Sequence, residues 1–245
     1  MKIHLITVCY NSQATIKDTL ASVKSQQGCD FLFTVVDGMS KDDTLNIVKE
    51  AGVASQIISE PDNGLYDALN KGVAQVADED VLAFIHADDI LAHPKVLAEA
   101  TKYFLDHPQI DALYADLDYV SEDLSKVLRK WRSGKPQSFA SGWMPPHPTL
   151  YVRKKAFDKV GPFRLDMGSA ADHEWMLRAI HVHKISLGYL PQVTVKMRVG
   201  GMSNANLKAR KSGLKYDLKA WEVNTGRKNY LAVFLKKLRK IPQWM

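Results

Sequence analysis

Acidic and hydroxyl-bearing residues recur at the ends of four short apolar runs in this 245-residue chain. The run at 3–8 carries Thr7 and leads into Cys9, Tyr10 and Asn11; the run at 31–37 closes on Asp37, with Gly38 next. Glu60, Pro61 and Asp62 follow the run at 56–59, and the run at 81–87 passes through His86 and Ala87 into Asp88 and Asp89. Adjacent like charges repel, so Asp88 and Asp89 call for a positively charged partner. Asp172, in "GSAADHEWMLR", opens a helical pattern, where a carboxylate can cap the helix.

The elements that must position these groups follow from periodicity. The four runs are short, apolar and bounded by polar turns, as buried strands are. Between them, Ile16, Leu20 and Val23, then Leu65, Leu69, Val73 and Val76, fall at helical spacing. Strand and helix alternating at this distance predict right-handed βαβ units and a mainly parallel, Rossmann-like sheet flanked by helices. A further helix over 94–106 begins at Pro94, and Ser40 with Asp43 reads as a helix N-cap. In such a sheet ligands bind beyond the carboxyl ends of the strands, which is where the acids collect. Taken singly, each acid has a simpler explanation: Asp62-Asn63-Gly64 is also an ordinary turn. That explanation does not place them all along one edge.

Later segments read as a strand at 110–120, a Pro- and aromatic-rich loop feeding a strand and a short helix, a helix over 171–183, two strands near 185–199 and two C-terminal helices. The chain divides into a domain over 1–205 and a basic helical extension over 206–245.

Together "TVCYN", "VVDGMSKDDT", "SEPDNGLYDALNKG", "HADD" and "ADHEWMLR" resemble the family 2 glycosyltransferases, inverting enzymes of the GT-A fold. No G-x-G-x-x-G follows the first strand, which disfavours dinucleotide binding. The resemblance implies an α/β GT-A fold and transfer of a sugar from a UDP- or GDP-sugar to a glycan or lipid-linked acceptor, in bacterial cell-surface polysaccharide synthesis. It makes Asp37 the acid that meets the base, in a pocket walled by Thr7, Tyr10 and Asn11, with Asp62 and Lys71 as further contacts. "ADD" matches the DXD-type motif with Ala87 in the first position, Asp88 toward the ribose and Asp89 as ligand of a divalent cation, Mn²⁺ or Mg²⁺. Asp172 matches the catalytic base, although Ala171 stands where the family often has an acid; His173 and Glu174 could orient or replace it. Arg198 and the glycine pair including Gly201 suit a phosphate loop, and Trp143, His147, Arg153 and His173 are candidates for the acceptor side.

Composition limits the alternatives. No apolar run reaches membrane-spanning length, and the N-terminus reads as a first strand rather than a signal peptide. Cys9 and Cys29 form no metal or disulfide pattern and suit a reducing cytoplasm. The net charge of +6 is concentrated late in the chain. Residues 229–240 form a basic amphipathic pattern that either lies against anionic membrane, at the inner face of the plasma membrane, or packs on the domain. A nucleotidyltransferase would bring a Gly-rich basic phosphate loop, absent here. A nucleic-acid-binding sheet would interleave aromatics with Lys, so no nucleic-acid partner is expected.

Overall fold

The computed structural model describes residues 1–199 and 207–244. In chain order the elements are β1 (Ile3–Cys9), α1 (Ile16–Lys24), β2 (Phe31–Asp37), α2 (Thr44–Ala51), β3 (Gln56–Ser59), α3 (Leu65–Val73) and β4 (Val81–Phe84). A two-residue β5 (Ile90–Leu91), α4 (Val96–Asp106), β6 (Ala112–Val120), β7 (Val127–Trp131), β8 (Tyr151–Arg153), α5 (Lys154–Val160) and α6 (Ala171–Met176) follow. β9 (Leu187–Arg198), α7 (Leu207–Thr225) and α8 (Tyr230–Leu238) complete the described chain.

The sheet runs β3-β2-β1-β4-β8-β6-β9-β5, with β7 added on β6. Its first four strands are parallel. β8 is antiparallel to β4 and β6, while β9 runs parallel to β6. The sheet is therefore mixed beyond β4. There the chain enters β8 from the Pro-rich loop, without the helical crossover that imposes parallel pairing. Along β1, Ile6 and Val8 face one apolar cluster, while Ile3, Leu5 and Cys9 face the other. This period-2 split buries both sheet faces, as strands covered by helices on each side require.

Several boundaries differ from the periodicity. β4 stops at Phe84, and Asp88 and Asp89 lie in a turn closed by the Asp89 N–H donating to the His86 carbonyl at 3.0 Å. The two strands expected near 185–199 are one strand, β9, whose register shifts around Pro191, because proline is tolerated at a bulge but not in a regular ladder. The helix expected over 171–183 is α6 followed by a π-helical stretch, Leu177–Val182. Ser40 does not cap α2. Its hydroxyl accepts from the Asn11 N–H at 2.9 Å, and Asp42 accepts from the Thr44 N–H at 3.0 Å at the start of that helix.

The C-terminal helices join the main core: Ala220, Trp221, Ala232 and Val233 are buried in the same apolar cluster as β1 and β6. Gly142 (φ +75°) lets α8 press onto the loop before β8, since a Cβ there would strike the backbone between Leu235 and Lys236.

Candidate active site

The turn between β4 and β5 carries the two acids, and their side chains have different surroundings. Asp88 is partly exposed, whereas Asp89 is almost fully buried. The Arg198 N–H donates to Asp89 Oδ1 at 3.2 Å; Oδ2 is buried with no hydrogen-bond partner. Burial, and next the neighbouring Asp88, push the Asp89 carboxyl well above the usual carboxylate range. The turn is also held from outside. Thr15 Oγ1 donates to the Ala87 carbonyl at 2.9 Å, and Thr19 Oγ1 to the Asp89 carbonyl at 2.7 Å.

Arg198 proves to be a clamp on this turn. Its guanidinium donates to the Asp88 carbonyl at 3.3 Å and the Glu122 carbonyl at 2.9 Å, and pairs with Asp18. With those donors committed and the residue buried, the expected role of contacting phosphate is not available to it in this arrangement. Gly201 lies outside the described residues.

At the ends of β1 to β3, Tyr10, Asp37 and Asp62 come together around Gly38. A Cβ on Gly38 would collide with the Asp62 carboxylate and lie 3.5 Å from the Tyr10 ring. Asp62 Oδ1 accepts from the Gly64 N–H at 2.7 Å, and Tyr10 is exposed. Asp37 forms the floor: it is fully buried and accepts from the Ser59 hydroxyl at 2.7 Å and the Ser40 N–H at 3.2 Å. Asn11 (φ +49°) and Met39 (φ +62°) both adopt left-handed backbone at this edge, held by the Lys41 N–H donating to Asn11 Oδ1 at 2.8 Å. Strained residues of this kind persist where the surroundings over-determine them. Two side chains are committed elsewhere. Thr7 is buried and donates to the Ile85 carbonyl at 2.7 Å, so it ties β1 to β4 instead of walling the pocket. Lys71 is held by the Pro61 carbonyl at 2.6 Å and Glu60 at 2.9 Å.

Asp172 begins α6 and is partly exposed. Its Oδ1 accepts from the Tyr66 hydroxyl at 3.2 Å and from the His173 N–H at 2.7 Å. Tyr66, from α3, was not singled out by sequence reasoning. It stands inside the motif "NGLYDALNKG", but nothing in a single sequence says that its hydroxyl crosses to α6. Burial, then Asp172, push its hydroxyl pKa well above the ordinary range, so it remains a proton donor. His86, placed by the sequence at the end of the fourth run, is given no role there. Burial lowers its pKa, opposed by Asp88 and Asp172, so this ring lies within electrostatic reach of both acids.

Three of the acceptor-side candidates, Trp143, His147 and His173, are buried, and Arg153 is half-buried. Trp143 spends its indole N–H on the Ser133 carbonyl at 3.0 Å, inside the core. His147 stacks on Phe84 with ring centroids 5.3 Å apart, and burial pushes it down to about 4. His173 is buried 3.6 Å from Asp217, and Arg153 is bound to the Ile110, Phe104 and Pro108 carbonyls. Neither neighbour of Asp172 can replace it. His173 is enclosed, and Glu174 is fully buried, paired with Arg178 at 3.0 Å and Asn224 at 3.0 Å.

The mixed sheet, with acids at the carboxyl ends of its parallel strands and a further carboxylate supplied by a helix, has the GT-A fold. The chain belongs to glycosyl transferase family 2, whose family model matches residues 4–165. It is 32% identical over 187 residues to an uncharacterized glycosyltransferase of Mycobacterium tuberculosis, covering 72% of this chain and 68% of that one. A PGL/p-HBAD biosynthesis glycosyltransferase of Mycobacterium bovis is 28% identical over 213 residues, 82% of this chain and 78% of its own. Among solved structures, the mannosyltransferase PcManGT of Pyrobaculum calidifontis, in complex with GDP-Man and Mn²⁺, superposes with a TM-score of 0.70. That match has 17% identity and covers 99% of this chain and 70% of the other.

Proposed function

We propose that this glycosyltransferase moves a sugar from a UDP- or GDP-sugar to a hydroxyl of a glycan or lipid-linked acceptor, with inversion, in the assembly of a cell-surface glycan. The reading rests above all on one observation: Tyr66, at the start of the helix that follows the Asp62 turn, donates its hydroxyl to Asp172 at 3.2 Å, so the helix-borne carboxylate lies beside the edge where the sheet's acids collect. The related PGL/p-HBAD biosynthesis glycosyltransferase supports the acceptor class, and family membership selects glycosyl over nucleotidyl transfer.

Tyr10 and Asp62, over the Asp37 floor, receive the nucleoside, and Asp88 the ribose. Asp172 accepts the acceptor's hydroxyl proton while the acceptor oxygen bonds to the anomeric carbon from the face opposite the nucleotide. The bond from that carbon to the phosphate oxygen breaks, and its electron pair leaves with the nucleoside diphosphate. Tyr66 and the His173 N–H hold one Asp172 oxygen, which leaves the other for the proton.

The donor set fits a divalent cation. The buried Oδ2 of Asp89 has no hydrogen-bond partner, and a cation beside it would favour the ionised carboxylate that burial otherwise opposes. No group of three or more His, Cys, Asp or Glu side chains able to hold a metal occurs among the described residues. The chain would therefore contribute Asp89, beside Asp88, and leave the remaining positions to substrate oxygens and water, as Mg²⁺ and Mn²⁺ sites often do. Such a cation, when bound, supplies positive charge to the departing diphosphate.

Thermal shift tests the reading. At about 100-fold excess over Kd a ligand adds about 2.7 kcal/mol, or roughly 5–10 °C for a chain of this size. UDP or GDP with Mn²⁺ is expected to approach that shift, and to fall short of it in EDTA or in Asp89→Asn. No shift with either nucleotide would overturn the proposal.

A further inference from the structure

The two ends of the chain differ sharply in charge. Residues 206–245 carry eleven Lys and Arg against two acids, a net +9, while residues 1–205 sum to −3. Within 226–245 there are six basic residues and no acid.

Helix α8 has two apolar faces. One holds Ala232 and Val233 and packs into the core, fixed by the close approach at Gly142. The opposite side presents Tyr230, Leu231, Phe234 and Leu238, continued by Ile241 in the turn beyond, all between 42% and 67% exposed. At 100° per residue these positions fall within one stripe about 100° wide, centred roughly opposite Ala232 and Val233. A helix needs only one apolar stripe to pack on its own domain, so the second has no counterpart among the described residues.

The surroundings of the stripe are basic. Lys237 flanks it and is exposed; Lys228 and Arg227 precede it. On the far flank Arg239 is tied to the Ser141 carbonyl at 2.9 Å, which anchors the end of α8. The same end borders the active site. Lys236 of α8 pairs with Asp217 at 2.9 Å, which lies 3.6 Å from His173, the residue after Asp172, and Arg129 of β7 binds Gln243 through its Nε at 2.9 Å while covering the Tyr119 ring at 4.1 Å.

We propose that the outer stripe of α8, with its basic border, docks on an anionic lipid bilayer and brings the acceptor side of the cleft to the membrane surface. An apolar stripe with Lys237 and Arg227 on its border and Lys228 paired with Glu222 at 3.5 Å, in a segment of net positive charge, matches a surface of negative headgroups over hydrocarbon. A soluble protein partner would more often be met by both signs of charge. The enzyme then meets its acceptor in the plane of the bilayer, which suits an acceptor carried on lipid.

Vesicle flotation of the full chain tests this. Wild type is expected to float with phosphatidylcholine vesicles containing about 30 mol% phosphatidylglycerol, and to float far less with phosphatidylcholine alone or in about 0.5 M salt. A Leu231→Ser/Phe234→Ser/Leu238→Ser variant alters only exposed side chains. It should lose about tenfold or more of its partitioning while keeping its melting temperature and its UDP or GDP shift. Lys237→Glu should weaken flotation without abolishing it. Equal flotation of the triple variant, or none for wild type, would overturn the proposal. So would a wild-type dimer in gel filtration that the triple variant dissolves without any vesicle binding. Flotation needs no turnover, so its failure leaves the donor chemistry untouched.

Discussion

Replacing Tyr66 by Phe tests whether Asp172 must be held to act. The substitution removes one hydroxyl and keeps the ring, which packs against Phe163 at 5.6 Å between centroids. What is lost is the hydrogen bond to Asp172 Oδ1 at 3.2 Å, with a weaker one to the Ser169 carbonyl at 3.4 Å. A hydrogen bond to a charged group contributes about 1.5–3 kcal/mol, but 3.2 Å is long for a hydroxyl donor, so the lower end applies. The His173 N–H at 2.7 Å still holds the same oxygen. Together these give about 1.4 kcal/mol, or roughly a tenfold fall in kcat. The assay is steady-state release of nucleoside diphosphate with acceptor present, alongside the Kd of the nucleotide. Tyr66→Phe should lower kcat about tenfold with Kd changed less than about twofold, because Tyr66 acts through the base and not on the donor. In an Asp172→Asn background the same change should have no further effect. A kcat within about twofold of wild type, or an equal loss of nucleotide affinity, would refute the reasoning.

Two further expectations follow from the geometry. Gly38→Ala forces the Asp62 carboxylate away and breaks its 2.7 Å bond to the Gly64 N–H; at about 1 kcal/mol for that bond, nucleotide Kd should rise about fivefold in calorimetry while the fold persists. An unchanged Kd would remove Asp62 from the nucleoside site. His147 is depressed by burial from 6.5 to about 4, so the native state binds fewer protons than the unfolded chain. Its contribution is complete above pH 6.5 and falls as the pH drops toward 4, by about 3 kcal/mol in total. His147→Phe, placed among Phe84 and Phe163, should flatten part of the denaturation profile in that window. His173, also held near 4, should retain the rest. A profile with unchanged slope would contradict this.

The parallel half of the sheet was legible because β1 to β4 are continuous apolar runs and their helices carry single apolar faces. The later half was less so: β8 has three residues and β9 carries a bulge at Pro191, so neither has a clean period. Ordered motifs disclosed the family and the acids. They could not disclose orientation. Trp143, His147 and His173 have the residue types of a sugar site yet face the core, and Arg198 has the charge of a phosphate ligand yet clamps the turn it follows in space. Adjacent Asp88 and Asp89 were readable as a pair, but their unequal burial arises from a turn that the apolar run had hidden. Tyr66 escaped notice because its significance is a contact across the chain, not a spacing within it.

The central claim is that this cleft activates a nucleotide-sugar and that Asp172 supplies the base. A panel of UDP- and GDP-sugars, assayed with Mn²⁺ for release of nucleoside diphosphate in the presence of acceptor, measures it directly with wild type and Asp172→Asn side by side. Wild type should turn over at least one donor, and Asp172→Asn should bind that donor with a similar Kd while its turnover falls by about a thousandfold or more. Retained turnover in Asp172→Asn, or no donor used by wild type, would contradict the account.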